Sequence, residues 1–262
     1  MKIFYLVFFL LISSCTVFAS EKKGISIADL HASDRVNALN VSWYYTWKVK
    51  PINGISIKKF VPMIWGGEKR IDAQIADLAS IGKFPNLLLI NEPNKVDQAN
   101  MSVDEVIRRW PELQVLADRV SSPAPAGLLG PWFDRFYRIA KNKGLKFDFM
   151  AVHYYGSPDP KKFLDKIDAV YEKYQMPIWI TEFAVADWDA KDKPGTNRYS
   201  DEEVLDFMKS VLPELERRPF VERYAWFGAG KKSLGSEQLR TSSLFNKKGD
   251  LTELGKYYAH FE

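Results

Sequence analysis

The sequence predicts an α/β protein folded as a single (β/α)8 TIM barrel. Eight short apolar runs recur along the 262 residues, with amphipathic stretches between them. Each run is nearly continuous instead of alternating with polar residues, as expected for parallel strands buried on both faces. Eight alternating units in about 240 residues are typical of one barrel. The predicted strands are 24–27, 39–44, 60–65, 87–90, 115–121, 147–154, 178–183 and 223–227.

Apolar residues at helical spacing predict helices between these strands. In 70–81, Ile71, Ile75 and Leu78 recur on one face, and Gly82 follows where the helix should end. Neither an internal repeat nor a linker interrupts the pattern, so we expect one domain over 20–262. The predicted helices are 29–36, 70–81, 132–143, 160–174 and 201–215.

Composition excludes several classes of protein. Hydrophobic residues make up 46% of the chain and charged residues 27%, which excludes a disordered or collagen-like chain and a polytopic membrane protein. Lys and Arg number 37 against 33 Asp and Glu, and the excess is scattered along the chain. Nucleic acid is therefore not an expected partner, because surfaces that bind it are clustered and basic. The 14% of aromatic residues belong either to the core or to a binding surface.

The amino terminus has the pattern of an export signal. Lys2 precedes a ten-residue apolar run, 3–12, which is too short to span a bilayer, and small residues follow it up to Ala19. Cleavage after Ala19 gives a signal peptide over 1–19. The segment ending at Cys15 also resembles a bacterial lipobox, which predicts a lipoprotein signal over 1–14 with Cys15 lipidated. Both alternatives predict an extracellular or periplasmic protein, freely secreted or lipid-anchored to the membrane.

Two glutamates follow predicted strands at the end where barrel enzymes hold their active sites. Glu92 follows the fourth strand and Glu182 lies in the seventh. An unpaired buried carboxylate is costly, so a charged residue at the end of a buried strand needs a reason. Strands three apart face each other across the mouth of an eight-stranded barrel, where two carboxylates are able to flank a sugar ring. Either glutamate alone is more often a surface or ion-paired residue, but the matched pair favours glycoside hydrolysis.

Polar and aromatic residues at the same strand ends are candidate sugar-binding residues. Amide, imidazole and phenol groups bind sugar hydroxyls, while indole faces stack on the apolar faces of sugar rings. A single His or Trp is as often structural, and only their clustering at one end of the barrel favours a site. The candidates are Asn91, Trp43, Trp65, His153, Tyr155 and Trp226.

Other chemistries lack their sequence patterns. No cluster of His, Cys, Asp and Glu has the spacing of metal ligands, and no glycine-rich phosphate loop follows a strand. The Gly-x-Ser-x-Gly motif of α/β-hydrolases is also missing. We therefore expect neither a metal nor a cofactor.

Seven stretches, in order along nearly the whole chain, resemble glycoside hydrolase family 128, the glycosyl hydrolase catalytic core family of clan A. The resemblance implies a retaining endo-β-1,3-glucanase that binds β-glucan polysaccharide or oligosaccharide. It also implies that Glu92 is the acid/base and Glu182 the nucleophile. The stretches are SWYYTW from 42, FVPMIWG from 60, NEPN from 91, HYYG from 153, PIWITEF from 177, ERYAWF from 222 and LTELGKYY from 251.

Three other functions stay open at this stage. One is a different clan A glycosidase that cleaves β-1,4 links in xylan or mannan. Another is a non-catalytic glucan-binding protein, against which the presence of both glutamates argues. The third is a structural lipoprotein of the envelope, which predicts no aromatic cleft. In each case we expect a monomer that contacts a membrane only through a lipid at Cys15.

Overall fold

The structure is a computed structural model that describes residues 20–28, 33–128, 130–190, 194–228 and 236–262. The predicted (β/α)8 barrel is confirmed, and each of the eight predicted strands overlaps an observed one. The predicted leader over 1–19, including Cys15, lies outside the described residues and stays a prediction. The strands are β1 Lys23–Ser26, β2 Trp43–Tyr45, β3 Met63–Ile64, β4 Phe84–Leu89, β5 Ala117–Val120, β6 Met150–Gly156, β7 Ile178–Val185 and β8 Val221–Trp226.

All ladder pairs between these strands are parallel, and together they form a ring. One sheet has the order β2-β1-β8-β7-β6 and the other the order β3-β4-β5. Two parallel bridges join the sheets, one between Tyr44 and Phe60 and one between Ser121 and Phe149. At these bridges the Val61 amide donates to the Tyr44 carbonyl at 2.9 Å, and the Ser122 amide donates to the Phe149 carbonyl at 2.8 Å. The barrel is therefore closed, with β4 and β7 three strands apart.

Helices connect the strands and cover the outside of the barrel. Four of the five predicted helices match closely, whereas the first begins at Ser33, since 29–32 lie outside the described residues. We did not predict α3, although Ser102 and Glu105 form a capping box at its start, which is a recognisable sequence signal. The helices are α1 Ser33–Ala38, α2 Ile71–Ile81, α3 Val103–Leu113, α4 Pro131–Asn142, α5 Pro160–Tyr174, α6 Asp201–Arg217 and α7 Glu253–His260.

Two predicted strands lose half of their length or more in the structure. The predicted strand 39–44 begins only at Trp43, because Asn40 has a positive φ of 48° in a turn that follows α1. The predicted strand 60–65 is reduced to Met63–Ile64. The apolar residues that precede both strands are buried without pairing as strands, so hydrophobicity alone overestimates strand length.

Large side chains fill the half of the barrel interior that lies at the amino-terminal ends of the strands. Trp43 and Trp179 meet with ring centroids 5.4 Å apart, and Phe149 stacks on Trp179 at 4.1 Å. The guanidinium of Arg223 lies 4.2 Å from the centroid of Trp179, and burial lowers its pKa to about 10. This packing closes the amino-terminal end of the barrel, so the cleft described below opens at the other end.

Candidate active site

A cleft of ≈ 990 Å³ opens at the carboxyl ends of the strands. This is the end at which barrel enzymes place their catalytic residues, and the volume is that of a ligand site. Both predicted glutamates line it. Predicted residues that also line it are Asn91, Trp65, His153 and Tyr155, and further lining residues include Trp47, Lys95, Gln98, Trp188 and Phe227.

The backbone at the end of β4 is constrained to direct Glu92 into the cleft. Ile90 and Glu92 have positive φ angles of 55° and 39°, a region that residues other than glycine rarely adopt. Hydrogen bonds hold this conformation: the Glu92 amide donates to the Ala124 carbonyl at 2.7 Å, and the Asn91 amide donates to the Trp65 carbonyl at 2.8 Å. Such strain is typical of positions that a functional site overdetermines.

Glu182 lies in β7 and is held by three neutral donors. Its Oε1 accepts hydrogen bonds from Trp47 Nε1 at 2.7 Å and from the Tyr45 hydroxyl at 3.0 Å. The Tyr155 hydroxyl donates to its Oε2. Only 7% of the Glu182 side chain is exposed, so these donors replace solvent and stabilise the negative charge of the carboxylate.

Both tyrosines remain protonated donors. Burial raises the pKa of Tyr45 and Tyr155 well above that of an ordinary phenol, and the negative charge of Glu182 raises both pKa values further. Neither hydroxyl therefore loses its proton near neutral pH. Three fixed donors leave the reactive oxygens of Glu182 in one orientation.

A bulge between β6 and β7 brings His153 beside Glu182. Val152 pairs with Ile180, but His153 pairs with Glu182, so Thr181 is the additional residue. The bulge puts both side chains on the inner side of the barrel. His153 is 1% exposed; its Nδ1 lies 3.2 Å from Glu92 Oε1 and its Nε2 lies 3.4 Å from Glu182 Oε1. The ring therefore faces both glutamates and also lines the cleft, and its predicted role in binding sugar stays a prediction.

Charge compensates for the burial of His153. Burial alone would lower the pKa of this imidazole, but the negative charge of Glu182 and the hydrogen bond with Glu92 outweigh it and raise the pKa above its ordinary value. A positively charged ring is thus favoured between the two carboxylates.

The two carboxylates are close enough to act on one sugar. An oxygen of Glu92, an oxygen of Glu182 and a ring nitrogen of His153 all lie within 4.8 Å of one another. Retaining glycosidases hold their two carboxyl groups about 5–5.5 Å apart, whereas inverting enzymes separate them by roughly 6.5–9.5 Å to admit a water. The close approach of the two oxygens is consistent with a retaining pair.

The same three side chains are also a candidate ligand set for a metal ion, because one ligand atom of each lies within 4.8 Å of the others. Nδ1 of His153 faces Glu92 and Nε2 faces Glu182. Each carboxylate thus approaches a different ring nitrogen. His153 and Glu92 are hydrogen-bonded, whereas Nε2 has no hydrogen-bond partner among the described residues.

Asn91 lines the cleft and carries a buried acceptor, unpaired in the part of the chain that the structure describes. Its Nδ2 donates to Gln98 Oε1 at 3.2 Å, and the side chain is buried. Its Oδ1 has no hydrogen-bond partner among the described residues, although buried polar atoms are nearly always paired. A hydroxyl group of a ligand beside Glu92 would satisfy it.

Trp43 and Trp226 correct the sequence prediction, because both are core residues. Trp43 faces the barrel interior at the start of β2, where it packs on Trp179 below the cleft, whereas the rim residue Trp47 follows the end of that strand. Trp226 faces outward: its Nε1 donates to the Ser242 carbonyl at 2.8 Å, and its ring packs on Phe183 at 4.9 Å. The next residue, Phe227, points into the cleft instead.

The sequence predicted only two of the aromatic residues that form the rim of the cleft. Trp65 and Tyr155 line the cleft as predicted, whereas Trp47, Trp188 and Phe227 were missed. Alternation along the Trp43-Tyr44-Tyr45-Thr46-Trp47 run was the signal for Trp47, because residues two apart share a face. No periodic signal marks Trp188, which lies in a loop and is 52% exposed.

A buried carboxylate anchors the loop that carries Trp188. Asp187 accepts hydrogen bonds from the backbone amides of Arg198 at 2.8 Å and Asp189 at 3.3 Å, and its carboxylate pairs with the Arg198 guanidinium at 2.8 Å. Burial opposes the charge of Asp187, but these donors outweigh it and lower its pKa below the ordinary value. Trp188 is thereby held beside Tyr155, with ring centroids 5.8 Å apart.

A family model described as the glycosyl hydrolase catalytic core matches residues 24–258 of the chain. The chain belongs to this family. The family resemblance and the (β/α)8 fold predicted from the sequence are therefore both confirmed for this glycosyl hydrolase catalytic core domain.

Solved GH128 structures share its fold over nearly its whole length. The domain is 32% identical to a subgroup I endo-β-1,3-glucanase of Amycolatopsis mediterranei, solved as a glutamate-to-alanine variant with laminaritriose and laminaribiose, at a TM-score of 0.78. That match covers 93% of this chain and 100% of the other. A subgroup II endo-β-1,3-glucanase of Sorangium cellulosum is 26% identical, with a TM-score of 0.73 over 92% of this chain and 98% of its own.

A curated relative is the alkali-sensitive linkage protein 1 of Schizosaccharomyces pombe, 29% identical over 252 residues. The match covers 91% of this chain but only 44% of that protein. The glycosyl hydrolase catalytic core domain thus spans less than half of that relative's length.

Proposed function

We propose that the chain is a retaining endo-β-1,3-glucanase that cleaves β-1,3-glucan by double displacement. The observation that carries the proposal is the pair of glutamates, Glu92 just after β4 and Glu182 within β7, with oxygens within 4.8 Å of each other in one cleft. The β-1,3 linkage is proposed from the endo-β-1,3-glucanases with which the chain shares 26–32% of its residues.

In the first step, a Glu182 carboxylate oxygen attacks the anomeric carbon of the sugar. The bond to the departing glycosidic oxygen breaks, and protonated Glu92 gives that oxygen its proton. The products of this step are a glycosyl ester on Glu182, a Glu92 carboxylate and one free glucan end. Asn91 Oδ1 is proposed to accept a hydrogen bond from a sugar hydroxyl beside the reacting carbon.

The second step restores the enzyme. Glu92 takes a proton from a water molecule, whose oxygen attacks the anomeric carbon from the side that the first glucan end has left. The ester bond breaks, and Glu182 departs as a carboxylate. Two inversions give net retention of configuration. The donors Tyr45, Trp47 and Tyr155 stabilise the departing charge on Glu182.

Two aromatic surfaces on opposite sides of the mouth support an endo mode of action. Trp65 follows β3, and Trp188 follows β7, four strands away in a ring of eight. The guanidinium of Arg70 covers one face of Trp65, 4.4 Å from the ring centroid. Trp65 itself lines the cleft. Sugar rings bound on both sides of the glutamates would place the cleaved bond inside a chain.

The test is hydrolysis of laminarin and curdlan beside xylan and mannan, with the first anomer released identified by proton NMR. We expect cleavage of the β-1,3-glucans alone, β-configured products, and early release of oligosaccharides of mixed length. Hydrolysis of xylan or mannan instead would identify another linkage specificity. Oligosaccharide binding without turnover would identify a binding protein, and α-configured products would contradict retention.

For location we propose export with removal of 1–19, or of 1–14 with a lipid on Cys15. No helix within the described part of the chain has the length and apolar character needed to cross a membrane. Mass spectrometry of the mature amino terminus, from membrane and soluble fractions of the producing cell, distinguishes the two routes. We also propose that the domain is a monomer, which sedimentation equilibrium tests.

A further inference from the structure

His153 occupies a position that the double-displacement scheme does not explain. It is 1% exposed, it has a ring nitrogen directed at each glutamate, and the β6–β7 bulge keeps it there. A residue that only supported Glu182 would duplicate Tyr45, Trp47 and Tyr155.

The negative charge of the site moves during the proposed reaction. Before glycosyl transfer the charge lies on Glu182, and after it the charge lies on Glu92, because Glu182 is then an uncharged ester. Contacts of 3.2 Å and 3.4 Å leave His153 beside the charged partner in both states. A cation fixed at this position opposes neither step, whereas a cation beside one glutamate alone would stabilise only one of the two states.

We propose that His153 is a positioning residue that stays positively charged through both half-reactions and couples the protonation of Glu92 to the charge of Glu182. The inference rests on the proposed function for its chemical meaning. The coupling itself is a property of the three side chains and is measurable without substrate.

The groups that face His153 come from several elements. Glu92 after β4 and Glu182 in β7 carry negative charge, and Tyr45 in β2 and Tyr155 in β6 are neutral phenols that also contact Glu182. Lys95 reaches the other oxygen of Glu92, with Nζ 3.9 Å from Oε2. The two carboxylates are thus the groups that favour a charged ring, and burial opposes it.

This arrangement predicts how pH acts on the site. With the imidazole charged, the competent enzyme holds a second proton on Glu92, and it loses activity as rising pH removes that proton. Removing the cation makes this proton harder to lose, because Glu92 then faces Glu182 without a positive charge between them. In His153→Gln the alkaline limb of kcat/KM should therefore move to higher pH by about one unit, with kcat reduced about 10- to 100-fold.

The closing experiment follows the ring nitrogens of His153 by NMR in protein labelled with ¹⁵N-histidine. Glu182→Gln imitates the uncharged ester, and Glu92→Gln imitates the protonated acid. We expect each variant to lower the titration midpoint of His153 by about one pH unit, and the double variant to lower it further. The exposed His260, on α7, should titrate unchanged in all of them.

The outcomes separate the inference from the function. A midpoint that responds to only one glutamate, or to neither, would overturn the coupling, whatever the activity of the wild-type protein. If the alkaline limb of kcat/KM in His153→Gln stayed at the pH of the wild type and only the activity were lower, the residue would have only a structural role. Coupled titration in a protein that hydrolyses no glucan would support the inference and contradict the function. His260→Gln is the activity control.

Discussion

The ends of β4 and β7 each present one glutamate to the same cleft, yet the two carboxylates have different surroundings. Glu182 has a side chain 7% exposed and accepts hydrogen bonds from three neutral groups. Glu92 has a side chain 12% exposed, and its charged side-chain contacts among the described residues are His153 and Lys95. Both carboxylates face His153, but Glu182 is also held by three neutral donors, whereas the other charged neighbour of Glu92 is the partly exposed Lys95.

This difference matches two chemical tasks. A nucleophile must stay ionised and aimed, which fixed neutral donors achieve without supplying a proton that would neutralise it. An acid/base must gain and lose one proton in each cycle, so its surroundings need to tolerate both charge states. The assignment of Glu182 as nucleophile and Glu92 as acid/base therefore predicts unequal responses to substitution.

The largest expected effect is that of Glu182→Gln. An amide does not attack the anomeric carbon, so laminarin hydrolysis should fall about 10⁴-fold or more. The measurement is initial rate at saturating laminarin, with Glu172→Gln on the exposed face of α5 as the matched control.

The substitution Glu92→Gln distinguishes the roles of the two glutamates. We expect a loss of about 10²–10⁴-fold on laminarin, but far less in the first step with an aryl glucoside whose leaving group needs no proton. Azide should then replace water and accelerate turnover. Azide rescue of Glu182→Gln with a β-configured product would reverse the roles.

Removing a donor from Glu182 has the next largest effect. Tyr155→Phe leaves the ring but removes the hydroxyl that donates to Oε2, and the departing carboxylate loses one of its three donors. We expect kcat to fall about 10²-fold, with a smaller change in KM, because the donor acts where charge develops. Tyr171→Phe, on the half-buried Tyr171 of α5, controls for loss of a phenol. A rise in KM alone would mean that Tyr155 binds sugar instead.

Sequence patterns predict the frame of this site better than its lining. The apolar runs that end in Glu92 and Glu182 locate both carboxylates, because burial of a strand and the cost of a charge there are local properties. The three donors of Glu182 come from β2, its following loop and β6, so their convergence depends on barrel closure. The β6–β7 bulge likewise depends on pairing that a single run does not encode.

The errors at Trp43 and Trp226 have a common cause. Both residues belong to strands that do reach the cleft, but lining a cleft requires the correct face and the correct depth. Trp43 lies on the inward face of its strand but too far below the cleft to line it. Trp226 lies nearly level with the cleft but on the outward face of its strand. A shift of one residue exchanges the faces, so predicted strand ends accurate only to a few residues do not assign rim residues.

A smaller effect is expected at the loop after β7. Asp187→Asn keeps the shape of the side chain but removes the charge that pairs with Arg198. Trp188 then loses its fixed position, and we expect KM for laminarin to rise about 3- to 10-fold with kcat nearly unchanged. The exposed Asp189→Asn, which also removes a partner of Arg198, is the matched control.

The same carboxylate gives this loop a pH dependence of known sign. Because the pKa of Asp187 is lowered in the folded protein, its stabilising contribution is complete above the unfolded value of about 4 and is lost as pH falls through the folded value. Acid should therefore raise KM in the wild type, and Asp187→Asn should abolish that change. An acid-induced rise that persists in the variant would assign it to another group.

The smallest effect should be that of Lys95→Met, which tests whether the end of β4 depends on every charge near it. Lys95 is 45% exposed and its Nζ lies 3.9 Å from Glu92 Oε2, so solvent and salt screen the pair. We expect kcat/KM at low ionic strength to change less than about 5-fold, and the difference from wild type to vanish at high salt. The buried His153 should show no such salt dependence. If Lys95→Met matched His153→Gln in size, the charge near Glu92 would act through solvent-exposed contacts, and the buried ring would lose its special role.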